Sequence, residues 1–177
     1  MKKEYEFKNG ERYGIEEAGR DGVLVFKDAI FKASFDEDWS NDYGKSSIKE
    51  KLEKWWDEYA PDELREAYDV SLLSAEEVYS QEELDEWHRG LKSTQLPLFA
   101  NDWKARIKRI KGKRTSCWWW LRTPYPSYSG NVASCYTDGS LNSDYANLTN
   151  GCVPACYPKK LTNSLEPGSS SGGKEGE

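Results

Sequence analysis

The sequence has one histidine and no long run of apolar residues. No stretch approaches the roughly 18 consecutive apolar residues that a membrane-spanning helix requires, so we expect no membrane span. His88 is the only histidine, so every Ser-His-Asp or Cys-His catalytic set would have to include it. It lies beside Trp87 on a charged helix, and a lone histidine there is typical of a surface or packing position. We therefore predict that the protein is not an enzyme.

Ligand sets for metals and phosphates are missing as well. The pair Cys152 and Cys156 has no further ligands that would complete a structural zinc site. The glycines before residue 23 are scattered turns and do not form a strand–loop–helix phosphate motif. We accordingly predict no metal and no cofactor.

The amino terminus, MKKEYEFKNGERYG, lacks the apolar segment of a secretory signal. We expect synthesis in the cytoplasm, with a virion or a cell surface left open as the final location. Cysteines stay reduced in such a compartment, so we expect packed thiols and no disulfides. The four cysteines are Cys117, Cys135, Cys152 and Cys156.

Aromatic residues are abundant for so polar a chain. The mean hydropathy is −0.90, yet 14% of the residues are aromatic, with eight Trp and eleven Tyr. Disordered chains are poor in aromatics, so this composition predicts a folded protein with large rings in its core. We predict one domain over residues 1–158 and a disordered tail over residues 159–177.

Alternation and periodicity predict the elements of the first half. Glu4–Lys8 alternates as a strand before an Asn9-Gly10 hairpin turn, and Val23–Phe26 reads as a short buried strand. The segment Ser47–Glu50 has the form of a capping box. A helix follows it and ends at Pro61. Its apolar face consists of Ile48, Leu52, Trp55, Trp56 and Tyr59.

Two further capping boxes are predicted at Ser74–Glu77 and Ser80–Glu83, after a short strand at Val70–Leu73. They indicate short helices over residues 75–79 and 81–89, the second ending at Gly90. An acidic cluster accompanies the second helix, and we interpret it as a solvated helix face. Its members are Glu82, Glu83, Asp85 and Glu86.

A basic run, KARIKRIKGKR, covers Lys104–Arg114. A nucleic-acid surface has this pattern, and so does an edge strand whose lysines prevent sheet-to-sheet aggregation. The net charge of the chain is −6, which argues against nucleic acid as a partner. We favour the edge strand and keep the nucleic-acid surface as an alternative.

Three strands are predicted in the last third. Cys117–Arg122 has rings on both faces, with Trp118 and Trp120 on one and Trp119 on the other, as in a central strand. Residues 132–136 and 151–156 are two more strands, and Asp138-Gly139 turns the chain between them. Because Pro154 cannot donate to a ladder, we place the last strand at an edge or a bulge.

Between Pro124 and Tyr157 the only charged side chains are Asp138 and Asp144. Tyr, Ser, Asn, Gly and Thr fill this segment, and they are the residues of adaptable recognition surfaces. We predict that it forms a binding face. The candidate residues are Tyr125, Tyr128, Asn131, Tyr136, Asp138, Asn142, Asp144, Tyr145, Asn147 and Asn150.

Several motifs of the chain resemble those of a bacterial and phage family of domains of unknown function. Trp119–Pro124 (WWLRTP), Gly139 and Gly151–Ala155 (GCVPA) are similar to its WWLRSP-like strand, central glycine and GVRPA-like closing strand. The segment Leu72–Glu77 (LLSAEE) and the helix entry Asn41–Ile48 match as well. The resemblance covers residues 20–157.

The resemblance implies an α+β, C-type-lectin-like fold of the formylglycine-generating-enzyme type, with a mixed twisted sheet, two or three helices and long C-terminal loops. Such folds carry variable binding surfaces, including surfaces whose sequences are diversified by diversity-generating retroelements. Residues 125–150 have the composition of such a surface. Val153 replaces the arginine of the closing motif, and the calcium motifs of sugar-binding lectins are absent. An oxidase that uses paired cysteines is the enzymatic alternative.

The sequence thus predicts a recognition protein whose ligand is a protein or a cell-surface glycan. The main alternative is a structural or assembly module of a phage or bacterial particle, in which the polar loops are only solvated.

Overall fold

The computed structural model describes residues 1–160. This part of the chain forms an α+β domain with two five-stranded sheets and a small two-stranded one. The strands are β1 (Lys2–Glu6), β2 (Arg12–Glu17), β3 (Leu24–Phe26), β4 (Phe31–Ser34), β5 (Tyr68–Leu72), β6 (Lys108–Arg109), β7 (Ser116–Cys117), β8 (Trp119–Pro124), β9 (Asn131–Cys135), β10 (Leu141–Tyr145), β11 (Thr149–Cys152) and β12 (Pro154–Pro158). The helices are α1 (Ser47–Tyr59), α2 (Asp62–Ala67), α3 (Ala75–Val78), α4 (Gln81–Trp87) and α5 (Pro97–Asn101), with 3-10 turns at Tyr43–Lys45 and Trp103–Arg106.

The strand order is β1-β2-β3-β12-β5 in the first sheet and β10-β9-β8-β11-β4 in the second. The second sheet is mixed, because β11 pairs antiparallel with β4 but parallel with β8. The chain passes from the second sheet to the first at Val153, between β11 and β12. The α+β class with a mixed sheet is therefore confirmed.

The amino-terminal half follows its sequence pattern closely. β1 and β2 form the predicted hairpin, and Gly10 adopts a φ of 80° in its turn. In α1 the residues Ile48, Leu52 and Trp56 are buried, as the periodicity predicts. The capping prediction was off by one residue, because it is the Ser46 side chain that accepts the backbone hydrogen bond from Lys49.

The prediction of two or three helices was too low, since the described residues contain five α-helices. Both capping boxes are present, at Ser74 with Glu77 and at Ser80 with Glu83. The helices α2 and α5 were missed because each is only five or six residues long and carries no side-chain cap.

The long C-terminal loops are replaced by strands. β9 and β10 form a hairpin closed at the Asp138-Gly139 turn, where Gly139 has a φ of 88°. β10 has the sequence LNSDY, and its polar residues gave no strand signal. The chain between β9 and β11 therefore consists mainly of paired backbone and two tight turns.

The predicted strand over residues 151–156 is two strands in two sheets. Pro154 is the first residue of β12, which lies between β3 and β5 and is therefore a central strand. The edge placement was wrong, because a proline at the first position of a strand does not interrupt the ladder that follows.

The large rings of β8 lie at the centre of the core. Trp119 and Trp120 are fully buried, and their indole N–H groups donate to the backbone oxygens of Arg106 and Ala33, each at 2.9 Å. β8 is a central strand, as expected. Trp118 precedes β8 and is less buried, with 37% of its surface exposed.

The four cysteines are buried free thiols. Burial raises the pKa of Cys135 to about 12 and raises the pKa of Cys152 and Cys156 further. They pack as small apolar side chains.

The strand predicted for the basic run is reduced to Lys108–Arg109, which pairs with β7 in the two-stranded sheet. Arg106 and Lys108 turn into the protein instead. Arg106 makes a two-pronged ion pair with Glu83 at 2.6 and 2.9 Å, and Lys108 donates to the Phe26 carbonyl at 2.9 Å. Glu83 therefore holds a structural pair and does not belong to a solvated face.

Over the described residues, no helix has the length and apolar character needed to cross a membrane. The predicted tail, apart from its first two residues, lies outside the described part of the chain.

Candidate functional site

The structure does not place the ten predicted binding residues on one surface. Tyr128, Asp138, Tyr145 and Asn147 are exposed. The residues Tyr125, Asn131, Tyr136 and Asn142 are half-buried, and Asp144 and Asn150 are buried.

An exposed aromatic patch gathers two of these residues with one that the sequence reasoning passed over. The patch consists of Trp39, Tyr128 and Tyr145, which keep 47%, 50% and 50% of their surfaces exposed. The rings of Trp39 and Tyr145 meet edge to face, with centroids 5.8 Å apart. Leu148, 45% exposed, lies in the turn that follows Tyr145. Three separate segments of the chain therefore supply one apolar surface.

The loop that carries Trp39 is fixed at both ends. The buried carboxylate of Asp36 accepts backbone hydrogen bonds from Ser40 at 3.0 Å and from Ser47 at 3.2 Å. The Asp36 amide in turn donates to the carbonyl of Ala146, in the turn after β10. The loop is thereby tied both to the start of α1 and to the strand that carries Tyr145.

Asn41 connects the same loop to residues 125–131. Its backbone amide donates to the Ser129 carbonyl at 2.9 Å. Its side-chain amide faces the carbonyls of Tyr128 at 3.2 Å and Asn131 at 3.0 Å. These bonds position Tyr128 next to Trp39 without using either ring, so both rings remain available to a ligand.

Two backbone features mark Trp39 as a constrained residue. Its φ is 63°, a left-handed conformation that bulky residues rarely adopt. A side chain at Gly130 would meet the Trp39 Nε1 atom at 2.8 Å and the Tyr128 Cε1 atom at 2.9 Å, so the two rings approach each other over a glycine. A large ring held half-exposed in an unfavourable backbone conformation is more typical of a functional site than of a structural one.

A second aromatic pair lies beside the second sheet, where one residue precedes β8 and the other follows β9. Trp118 stacks on Tyr136 with centroids 4.0 Å apart and planes at 19°. Burial raises the pKa of Tyr136, and the nearby carboxylates of Asp144 and Asp138 add to that increase. Tyr136 thus lies near one exposed carboxylate, that of Asp138, and one buried carboxylate, that of Asp144.

Asp144 and Asn150 were predicted as contact residues, and this assignment was wrong. Asp144 is 9% exposed and Asn150 is 7% exposed, and the Asn150 amide donates to the Asp144 carboxylate at 2.8 Å. Burial raises the pKa of Asp144, and the hydrogen bond from Asn150 opposes that increase. The pair joins β10 to β11 beneath the surface.

Two buried oxygens near this region, Oδ1 of Asn131 and Oγ of Ser134, have no hydrogen-bond partner among residues 1–160. Both belong to β9, the strand between β8 and β10. Asn131 is one of the predicted residues, and its side chain is only half-exposed.

Tyr125 belongs to a separate cluster at the end of α4. Its ring meets Trp87 at 5.2 Å and His88 at 5.5 Å between centroids. His88 Nε2 lies 2.8 Å from Ser127 Oγ, and its Nδ1 lies 2.9 Å from the Arg89 carbonyl. In the described part of the chain the second ring nitrogen of His88 meets a backbone carbonyl and not a carboxylate. We therefore interpret this Ser-His contact as a structural link between the end of α4 and residues 125–131.

Of the three remaining candidates, Asn142 lies in β10 and the other two lie in turns. Asp138 accepts hydrogen bonds from the amide and the hydroxyl of Ser140 at 3.0 and 2.6 Å. The bonds from Ser140 lower the pKa of Asp138, so this carboxylate stabilises its own turn. Asn147 is exposed between Tyr145 and Leu148, beside the aromatic patch. Within residues 1–160, no group of three or more His, Cys, Asp and Glu side chains is arranged to hold a metal ion.

Fold and surface together define an α+β domain that presents exposed rings on two loops and on the end of β10. The chain belongs to the family described as "Domain of unknown function (DUF6273)", which matches residues 28–159. No curated protein and no solved structure matches the chain.

Proposed function

We propose that the protein is a non-enzymatic recognition protein that binds a protein or a cell-surface glycan through the aromatic patch. The observation that carries this proposal is the convergence of Trp39, Tyr128 and Tyr145, half-exposed, on a loop and a hairpin held by backbone hydrogen bonds. Trp and Tyr are enriched among the residues that dominate binding energies. Their rings also bring large contact area at low entropic cost.

The rigidity of the support favours binding over mere solvation. Ordering a flexible side chain on binding costs about 0.5–1.5 kcal/mol, and the patch avoids much of this cost. Phe35, which precedes the Trp39 loop, packs against the buried ring of Trp120 with centroids 5.7 Å apart. The aromatic core therefore supports the patch from beneath.

The polar residues around the rings suit adaptable recognition. Asn147 is exposed next to Tyr145, and Ser127 and Ser129 flank Tyr128. Short amides and hydroxyls of this kind supply hydrogen bonds that adjust to a ligand. Stacking of sugar rings on exposed Trp and Tyr, or insertion of a partner's side chains between them, are both compatible with the geometry.

The finer parts of the proposal rest on the sequence resemblance. We infer a C-type-lectin-like scaffold and a surface whose sequence varies among copies written by a diversity-generating retroelement. The Tyr, Ser and Asn content of residues 125–150 supports this inference. A near-copy of the 3′ end of the gene beside a reverse transcriptase is the genomic observation that tests it.

Arrays of bacterial surface glycans and of purified surface proteins test the binding function. We expect the wild-type protein to bind a restricted subset of spots and the variant Tyr128→Ala/Tyr145→Ala to lose that binding. Trp103→Ala is the matched control, because Trp103 is 55% exposed but lies against the Gly139 turn, at the opposite end of the β9–β10 hairpin from Tyr145. Binding that is equal in all three proteins, or absent from all, favours an assembly module instead.

A further inference from the structure

A basic groove lies outside the aromatic patch and has no role in the proposed recognition function. It measures about 480 Å³ and is lined by Lys27, Asp28, Lys104, Ile107, Arg109 and Lys113. Four cationic side chains thus converge on one concavity with a single carboxylate, in a chain whose net charge is −6.

The cations of the groove are unpaired within the described part of the chain. None of the ion pairs found over residues 1–160 includes Lys27, Lys104, Arg109 or Lys113. Their neighbours in the basic run do have partners, since Arg106 binds Glu83 and Lys111 binds Glu11 at 2.9 Å. Lys104, Arg109 and Lys113, which have no ion-pair partner among residues 1–160, all line the groove.

Like charges are crowded at the edge of this groove. The side chains of Lys2 and Lys27 both approach Gly14, and the proximity of Lys27, together with burial, lowers the pKa of Lys2. Glu16 and Asp28 oppose this effect on Lys2. Placing like charges together is unfavourable in the free protein, and a bound anion removes that penalty.

The backbone that holds the groove is rigid. The Ala29 amide donates to the Arg109 carbonyl at 2.8 Å, and the Lys111 amide donates to the Ala29 carbonyl at 2.9 Å. The turn that presents Lys113 closes with its amide on the Ile110 carbonyl at 2.8 Å, and Gly112 in that turn has a φ of 80°. The cationic side chains of the groove therefore project from hydrogen-bonded backbone.

We propose that this groove is a binding site for a compact ligand that carries several phosphate groups. Its volume falls within the range of small-molecule sites, and lysine and arginine are the usual phosphate ligands in proteins. The groove lining contains no aromatic ring, so it lacks the stacking platform that single-stranded nucleic acids require. A small polyphosphorylated molecule therefore fits the groove better than a nucleic-acid strand.

Isothermal titration calorimetry with inorganic tripolyphosphate at low salt tests the site. We expect measurable binding to the wild-type protein and a loss of at least about tenfold in affinity for Lys104→Gln/Arg109→Gln. Both side chains are exposed, so this variant is expected to keep its fold, which circular dichroism checks. The matched control Lys45→Gln/Arg89→Gln removes the same two charges from exposed positions outside the groove and is expected to bind like the wild type.

Three results would overturn the proposal: no binding to the wild-type protein, equal weakening in both double variants, or a single-stranded 20-nucleotide DNA that binds more tightly than tripolyphosphate. The last result would assign the groove to nucleic acid, with the steep salt dependence of phosphate-backbone contacts. The substitutions Tyr128→Ala/Tyr145→Ala are expected to leave the affinity for tripolyphosphate unchanged. The proposal for the groove and the proposal for the aromatic patch are therefore tested independently.

Discussion

The indole ring of Trp39 meets the phenol ring of Tyr145 edge to face, with centroids 5.8 Å apart and planes at 87°. Both rings remain about half-exposed, although such contacts usually accompany burial in a core. The contact joins an acidic loop before α1 to the end of β10. It makes one surface from residues that are more than a hundred positions apart in the chain.

Replacement of Trp39 is expected to separate stability from binding. Asn tolerates a positive φ far better than Trp, so Trp39→Asn relieves backbone strain while it removes the ring. We expect the free energy of unfolding in urea to change by less than about 1 kcal/mol. The buried Trp120→Ala is the comparison, with an expected loss of about 3–5 kcal/mol. A similar loss for both variants would show that Trp39 is a core residue.

Gly130→Ala is expected to destabilise the loop that carries Tyr128. The new methyl group would lie 2.8 Å from Trp39 Nε1 and 2.9 Å from Tyr128 Cε1, so both rings must move, at a cost of about 1–3 kcal/mol. Urea unfolding measures this cost. Gly44→Ala is the control, because its closest contact there is the Asp42 side chain at 3.3 Å.

The Asp144–Asn150 pair predicts both a stability loss and a pH dependence. Asp144→Ala leaves the buried Asn150 amide unpaired, which costs about 1–3 kcal/mol. Burial raises the pKa of Asp144 in the folded state, so its contribution to stability is full below the unfolded pKa and is lost as the pH rises through the folded pKa. Asp144→Asn lacks this titration. We therefore expect its free energy of unfolding to increase relative to that of the wild type as the pH rises from the unfolded pKa of Asp144 to above the folded pKa. A difference that stays constant with pH would contradict the burial of the charged carboxylate.

Lys108 predicts a pH dependence of the opposite sign. Burial lowers its pKa to about 8, against the attraction of Glu16 and Asp28. The folded protein therefore releases this proton before the unfolded chain does, and stability rises with pH from about 8 to about 10.5. The gain is about 3 kcal/mol at most.

The variant Lys108→Met lacks this titration and retains the length of the side chain. Subtracting its free energy of unfolding from that of the wild type at each pH cancels the contributions of the cysteines and tyrosines. The difference is expected to increase across this interval. A flat difference would mean that the ammonium group is hydrated in the folded state.

The elements with a clear local pattern could be predicted from the sequence. The helix α1 followed from the spacing of Ile48, Leu52 and Trp56, and the buried rings of β8 marked a central strand. These signals are local, because α1 has one apolar face and β8 carries buried rings on both faces. The turn at Asp138-Gly139 also followed from turn chemistry, whereas the strand β10 that follows it did not.

The sequence showed which residue types the candidate surface contains, but not which residues form it. Trp39 lies in an acidic loop without periodicity, and its position depends on hydrogen bonds from Asn41 to residues 84 to 90 positions away. Asp144 and Asn150 were placed outside because they are polar, yet they satisfy each other in the interior. Such pairings depend on tertiary contacts that residue types alone do not reveal.

Binding to whole bacterial cells provides the most direct test of the aromatic patch. Fluorescently labelled wild-type protein and Trp39→Asn are compared by flow cytometry on a panel of strains, after both have shown the same melting temperature. The patch predicts that the wild type labels a subset of strains and that the variant labels those strains at least about tenfold more weakly, a difference of about 1.4 kcal/mol or more. Equal labelling by the two proteins, or no labelling by the wild type, would contradict a recognition role for this surface.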